Sequence, residues 1–210
     1  MSGAPLLLAT RSGGKLRELR PAFWRAGYGV VDLTHLGIPV LGEEEALERF
    51  ATYEENALAK ARFFRDLTGL AAVADDSGIE VVGLGGAPGV RSKRWSYGGV
   101  LRHGVLDGAL LDAANNRRLV DEVRRLTDRR ARYVCAAAYC GEGVEFVVRG
   151  VAEGSVVLEG RGSAGFGYDP YFLSDELGRT FAEVSADDKW AVSHRGRAFR
   201  FLVEELSKRR

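Results

Sequence analysis

Short apolar runs of strand length alternate with stretches of helical periodicity along this chain, and that alternation constrains its fold more than any other feature. Leu6–Thr10 is apolar and ends in a glycine-containing turn, Arg11-Ser12-Gly13-Gly14. A helix is predicted from Lys15 to Ala26, with Leu16, Leu19, Phe23 and Trp24 near helical spacing, and a strand over Tyr28–Leu33. After the acidic segment Gly42–Glu48, Thr52 and Glu55 form a capping-box signature, and Ala57, Ala61 and Phe64 line one face of the helix that follows. Leu70–Ala74 reads as a buried strand running into Asp75-Asp76-Ser77-Gly78, with a short strand Ile79–Val82 and a turn-rich stretch Gly83–Gly89 beyond. The rest is predicted as a helix over Asp107–Thr127, strands over Arg132–Tyr139, Glu145–Ala152 and Ser155–Glu159, a loop over Gly160–Pro170 and a last helix over Lys189–Ser207. No repeat or linker divides the chain, so the expectation is one α/β domain over residues 1–210, with a mixed sheet and two lobes about a cleft.

Composition excludes several function classes. A chain of 210 residues that is 46% hydrophobic and 28% charged can bury a core and is not disordered. Its net charge of +1 excludes binding to nucleic acid by bulk charge alone. The basic helix Asn115–Arg132 is accordingly read as a solvated face or a dimer contact. The apolar runs Pro5–Ala9 and Val134–Ala138 fall far short of the about 20 residues that span a membrane. Met1-Ser2-Gly3 shows no signal-peptide pattern. Cys135 and Cys140 are five apart in a predicted strand, hence on opposite faces and unable to pair there, so a reducing cytoplasm is expected.

Two familiar motifs fail. Gly160-Arg161-Gly162-Ser163-Ala164-Gly165 matches GxGxxG but is followed by Phe166-Gly167-Tyr168-Asp169-Pro170, a loop where a dinucleotide site needs a helix. Gly13-Gly14-Lys15-Leu16 lacks the first glycine and the hydroxyl residue of a Walker loop.

What remains is a set of polar clusters at element ends. Thr10-Arg11-Ser12-Gly13-Gly14-Lys15 offers backbone N–H groups, hydroxyls and a lysine that suit phosphate, or it is an ordinary strand-to-helix turn with a solvated lysine. Asp75 and Asp76 follow a buried strand, where a divalent cation such as Mg²⁺ would offset their cost, or they cap an Asp-rich turn. The acidic run Glu43–Glu48 supplies a further candidate ligand. Asn56 and Lys60 share a helix face, and Phe166–Asp169 could set a ring against a base while Asp169 accepts from base N–H groups. Ser193-His194-Arg195-Gly196-Arg197 is dense in hydrogen-bond donors.

Taken in order, these clusters resemble one family, the inosine/xanthosine triphosphate pyrophosphatases. The resemblance rests on Ala9-Thr10 with Lys15, Glu54-Glu55-Asn56-Ala57 with Lys60-Ala61, Ala74-Asp75-Asp76-Ser77-Gly78 and Gly85-Gly86-Ala87-Pro88-Gly89-Val90. It continues through Gly165-Phe166-Gly167-Tyr168-Asp169-Pro170 and Thr180-Phe181-Ala182-Glu183 to Lys189 and Ser193-His194-Arg195-Gly196. It implies an elongated mixed sheet with flanking helices, two lobes around a central cleft, a cytoplasmic homodimer, and Mg²⁺-dependent hydrolysis of ITP, dITP or XTP to the monophosphate and pyrophosphate. Thr10, Arg11, Ser12, Gly13, Gly14 and Lys15 would then form the phosphate loop. Glu48 and Asp76 would bind the metal, Asp76 would accept the proton, and Lys60 and Ser77 would reach the substrate. Phe166, Gly167, Tyr168, Asp169, Lys189, His194 and Arg195 would enclose base and sugar. Two departures stand out: Ser12 replaces the family's usual asparagine, and the acidic run Glu43-Glu44-Glu45-Ala46-Leu47-Glu48-Arg49 allows Glu45 as the ligand in place of Glu48. The alternatives are a related pyrophosphatase acting on other altered nucleotides, such as modified pyrimidines, and a nucleotide-binding protein weakened in catalysis.

Overall fold

The strand–helix alternation is realised in a computed structural model that describes residues 4–98 and 108–209. Its strands are β1 (Leu6–Leu8), β2 (Val30–Asp32), β3 (Ala72–Val81), β4 (Arg130–Gly141), β5 (Val144–Val156) and β6 (Phe172–Ser174). The α-helices are α1 (Gly13–Arg25), α2 (Tyr53–Thr68), α3 (Gly108–Val123), α4 (Ala186–Val192) and α5 (His194–Ser207). The sheet order is β2-β1-β3-β4-β5-β6, parallel at β1 with β2 and β3, antiparallel between β5 and β6. The fold is therefore α/β with a mixed sheet, as the sequence predicts.

The chain divides into two compact units. One comprises Met1–Asp76, Cys135–Arg149 and Ala198–Arg210, the other Ser77–Val134 and Gly150–Arg197. In the first, Leu6 pairs with Val30 and Leu8 with Val73, which places the end of β1 beside the start of α1. Leu19 and Phe23 are the buried face of α1, and the Phe23 ring meets Phe199 of α5 edge-on at 5.8 Å. Trp24, expected on that face, is 79% exposed, because one residue past Phe23 is about 100° further round the helix. Thr52 caps α2 by accepting from Glu55 N at 3.2 Å, and the helix stops at Gly69, whose φ of 70° needs no Cβ penalty. Ala57, Ala61 and Phe64 are buried, as predicted.

The second unit is built on Ile79, Val81, Tyr133, Phe172 and Phe181, against which Trp95 and the α3 residues Leu119 and Val123 pack. Tyr133 lies parallel to Phe181 at 5.9 Å and tilted against Phe172 at 4.7 Å.

Five expectations are corrected. The strand–turn–strand over Leu70–Val82 is a single strand, β3, so Asp75-Asp76-Ser77-Gly78 is extended. An interior strand satisfies its backbone from both neighbours, which an Asp-rich turn would not do there. The two strands expected over Glu145–Glu159 are also one, β5. A Cβ at Gly154 would strike the Leu173 carbonyl, so its glycine marks a close approach to β6 and not a break. The last helix is two, α4 and α5, divided at Ser193, whose extended backbone (φ −69°, ψ 154°) interrupts the helix. The helix expected over Asp107–Thr127 is α3, ending at Val123, and Asp107 lies outside the described residues. Arg130 and Arg132, assigned to the basic helix, stand on β4.

Candidate active site

β3 is a strand, so Asp75 and Asp76 project to opposite faces. Both are buried, and each meets a different cation. Lys15, from the first turn of α1, approaches Asp75 Oδ1 at 3.0 Å and donates to the Asp75 carbonyl at 3.3 Å. Cys135 Sγ lies 3.7 Å from Asp75 Oδ2. Lys15 is thus an anchored cation, not the solvated lysine of the bland alternative.

Asp76 faces α2. Asn56 Nδ2 donates to Asp76 Oδ2 at 2.9 Å, while Asn56 Oδ1 accepts from Phe50 N at 3.0 Å, so both ends of the amide are fixed. Lys60, one turn along, donates to Glu48 Oε1 at 3.0 Å and lies 3.7 Å from Asp76 Oδ1. Two carboxylates therefore share one ammonium. Burial pushes the Asp76 carboxyl up, and the neighbouring Glu48 charge adds to that, while Lys60, Lys15 and Asn56 pull it back without cancelling the rise. For Lys60 burial favours the neutral amine, but Glu48, Asp76 and Asp75 outweigh it and hold the lysine firmly protonated.

The acidic run resolves into separate roles. Gly42–Glu48 is a 3₁₀ segment in which Glu44 is buried and Glu45 is half-buried beside Arg49 at 3.9 Å. Glu48 is the member that the fold brings to Lys60. Glu44 takes a bidentate pair of bonds from Arg11, at 2.7 and 3.2 Å, and Arg11 also donates to the carbonyls of Ile38 and Pro39. Arg11, assigned to the phosphate loop, thus has its guanidinium committed to Glu44 of the acidic run and to two carbonyls ahead of it. Ser12 caps α1, its Oγ accepting from Lys15 N at 3.4 Å, and Thr10 Oγ1 accepts from Ser12 N at 3.2 Å. Gly13 and Gly14 open the helix, where the first N–H groups have no intrahelical acceptor. The turn thus sets the first N–H groups of α1 beside Lys15, with Ser12 serving as the helix cap.

The second unit holds the remaining residues. Phe166 is half-buried, with the Lys189 ammonium 4.9 Å and the Arg195 guanidinium 5.4 Å from its ring centre. Lys189 donates to Asp169 Oδ2 at 2.6 Å, and the same oxygen accepts from Phe166 N at 2.8 Å. Arg195 Nη2 donates to Ser77 Oγ at 2.8 Å. The His194 ring stacks on Tyr133 at 4.4 Å with the planes only 5° apart. Tyr168 departs from its assigned role: its ring is in the core and its hydroxyl donates to the Ser92 carbonyl at 2.7 Å.

The sequence reading places Lys189, His194 and Arg195 with Phe166 and Asp169; the structure brings Lys189 and Arg195 to them, while the His194 ring stacks on Tyr133 and Phe181. It misses Tyr133, whose stack with His194 joins residues 61 apart and leaves no local signal.

A model of the Ham1 family matches residues 6–205. A dITP/XTP pyrophosphatase of Mycolicibacterium paratuberculosis is 48% identical over 206 residues, covering 97% of this chain and 96% of that protein. One from Ralstonia nicotianae is 45% identical, covering 96% of each. Among solved structures, the Staphylococcus aureus Ham1 protein superposes with a TM-score of 0.80 at 30% identity, covering 99% of this chain and all of that one. A nucleoside-triphosphatase, or dITP/XTP pyrophosphatase, of Mycobacterium abscessus gives 0.70 at 41% identity, covering 97% and 100%.

Proposed function

The chain belongs to the Ham1 family, and from that membership we propose that it hydrolyses deaminated purine nucleoside triphosphates, ITP, dITP and XTP, to the monophosphate and pyrophosphate. The observation that supports this most directly is the buried Asp76, held by Asn56 and sharing Lys60 with Glu48. Water attacks the α-phosphorus, the bond to the β-phosphate oxygen breaks, and pyrophosphate leaves. Asp76 takes the proton of that water, and its raised affinity for protons makes it a stronger base than an ordinary carboxylate. Lys15 and Lys60 offer fixed positive charge to the phosphoryl oxygens, with the first N–H groups of α1 beside Lys15.

Mg²⁺ belongs to the same proposal. Glu48 and Asp76 would hold it: hard carboxylate oxygens suit this ion, and a cation relieves the like-charge repulsion that lifts Asp76. Among the described residues no group of three or more His, Cys, Asp or Glu is placed to bind a metal. Two carboxylates with substrate phosphates and water match the usual habit of Mg²⁺. When bound, it supplies charge stabilisation at the phosphoryl oxygens.

Base recognition is assigned to the second unit, with Phe166 as stacking platform and donors from His194 or Arg195 reading the 6-oxo group. Adenine presents an amino donor at that position and would leave buried donors opposed. Family resemblance extends the proposal to a homodimer in the cytoplasm. The free thiols of Cys135 and Cys140 support a reducing compartment, and among the described residues no helix is long and apolar enough to cross a membrane.

The test is incubation with ITP, XTP, dATP and GTP, with and without Mg²⁺, scoring pyrophosphate. Release from ITP and XTP that requires the metal is expected. Equal release from dATP would defeat the base assignment, and release of orthophosphate alone would defeat the cleavage position.

A further inference from the structure

Two polar side chains of α3 that the mechanism does not use meet on a single residue of the stacking loop. Asp112 Oδ2 accepts from Gly167 N at 2.8 Å, and Asn116 Nδ2 donates to the Gly167 carbonyl at 2.9 Å. The two are four apart and so stand on one face of the helix. Their chemistry is matched to the target: an acceptor-only carboxylate meets the N–H, and an amide donor meets the C=O.

Gly167 directly follows Phe166, so fixing its N–H fixes the plane of the peptide that joins them. On the other side of Phe166, its own N–H is held by Asp169 at 2.8 Å. Beyond Gly167, Tyr168 is anchored to Ser92. Gly167 has φ 64° in open space, a conformation that glycine adopts freely and that needs outside restraint to stay unique.

We propose that Asp112 and Asn116 are positioning residues that pre-orient the Phe166 platform, by clamping the N–H and C=O of Gly167, and so set the affinity for the purine ring. The inference rests on the functional reading above for its substrate, but the clamp itself can be tested without one. A platform held ready before binding spares the nucleotide the cost of ordering it.

The test has two arms. In the nucleotide-free protein, hydrogen exchange of the segment containing Gly167 is expected to accelerate at least about tenfold in Asp112→Ala, because the amide loses its acceptor. Unchanged exchange overturns the clamp, and this arm decides even if wild-type protein releases no pyrophosphate from ITP, which would defeat the functional reading alone. In the kinetic arm, Asp112→Ala and Asn116→Asp are expected to raise KM for ITP about five- to tenfold with kcat within about twofold, the scale of one lost hydrogen bond. Asp112→Asn keeps an acceptor oxygen and is expected to stay within about threefold of wild type. In a Phe166→Ala background the same substitutions should change KM by less than about twofold, since the platform they orient is gone. Folded variants with wild-type KM, an Asp112→Asn as damaged as Asp112→Ala, or losses that multiply fully with Phe166→Ala would each overturn the proposal. A substitution that merely loosened the structure would multiply in that background.

Discussion

Asp76 combines two properties that a mutation can separate: its shape, which Asn56 and Lys60 recognise, and its charge, which the chemistry uses. Asp76→Asn keeps the shape and removes the charge. Loss of a general base lowers turnover by about 10²–10⁴-fold, so a drop of at least about a hundredfold in kcat with unchanged circular dichroism is expected. A drop below about tenfold would remove Asp76 from the proton-transfer role. The neighbouring carboxylates give a sharper contrast. Glu48→Gln is expected to raise the Mg²⁺ concentration for half-maximal rate, whereas Glu45→Gln, out beside Arg49, should leave it unchanged. The opposite pattern in a magnesium titration would move the ligand to Glu45. At this scale the sequence makes the candidate residues legible as types and spacings, but not which partners they hold. Arg11 looks like part of a phosphate loop because it stands in a glycine-containing strand-to-helix turn, yet Glu44 claims it from 33 residues away. Lys60 looks solvated because most helical lysines are, and only the fold shows Glu48 beside it.

At the scale of elements, α2 presents Asn56 and Lys60, and its start is fixed by the Thr52 cap. Thr52→Ala removes the acceptor for Glu55 N and should cost about 1 kcal/mol in unfolding free energy. Denaturant unfolding measures it, and a change below about 0.3 kcal/mol would mean that tertiary packing alone sets the helix start. This helix was legible in the sequence because its cap, its periodicity and its terminal Gly69 agree. Elsewhere the local signals compete with the sheet. Asp75-Asp76-Ser77-Gly78 has the composition of a turn, and only the neighbouring strands and the cations at Lys15 and Lys60 make it extended. The break at Ser193 was hidden for the opposite reason. The apolar pattern runs on through it, but Ser193 Oγ accepts from Gly196 N at 3.1 Å, which is a start signal for a new helix inside what reads as one.

For the whole molecule, the proposed activity implies a binding equilibrium that folding must report. A nucleotide that binds only the native chain stabilises it by about 2.7 kcal/mol at a hundred times its dissociation constant. In a chain of this length, each kcal/mol raises Tm by about 2–4 °C, so ITP at that excess should raise it by about 5–10 °C. Without Mg²⁺ the lysines proposed to bind phosphate and the proposed stacking loop remain, so a smaller rise should persist in chelator while pyrophosphate release stops. Base selection then appears as a difference between ligands of identical charge. ATP and ITP carry the same triphosphate, so the interactions at Lys15 and Lys60 are common to both, and stacking on Phe166 is nearly blind to base identity, contributing about 1–3 kcal/mol for either. What separates them is the 6-substituent and the adjoining N1, acceptor and donor in hypoxanthine but donor and acceptor in adenine, so donors aimed at the 6-oxo group would penalise adenine. ITP should therefore shift Tm more than ATP at equal concentration, and substitution of whichever of His194 and Arg195 reads the 6-oxo group should shrink that gap while leaving the ATP shift nearly intact. Equal shifts from ITP and ATP in the wild type would show that binding does not discriminate, and would move selection from the ground state to the transition state of the cleavage.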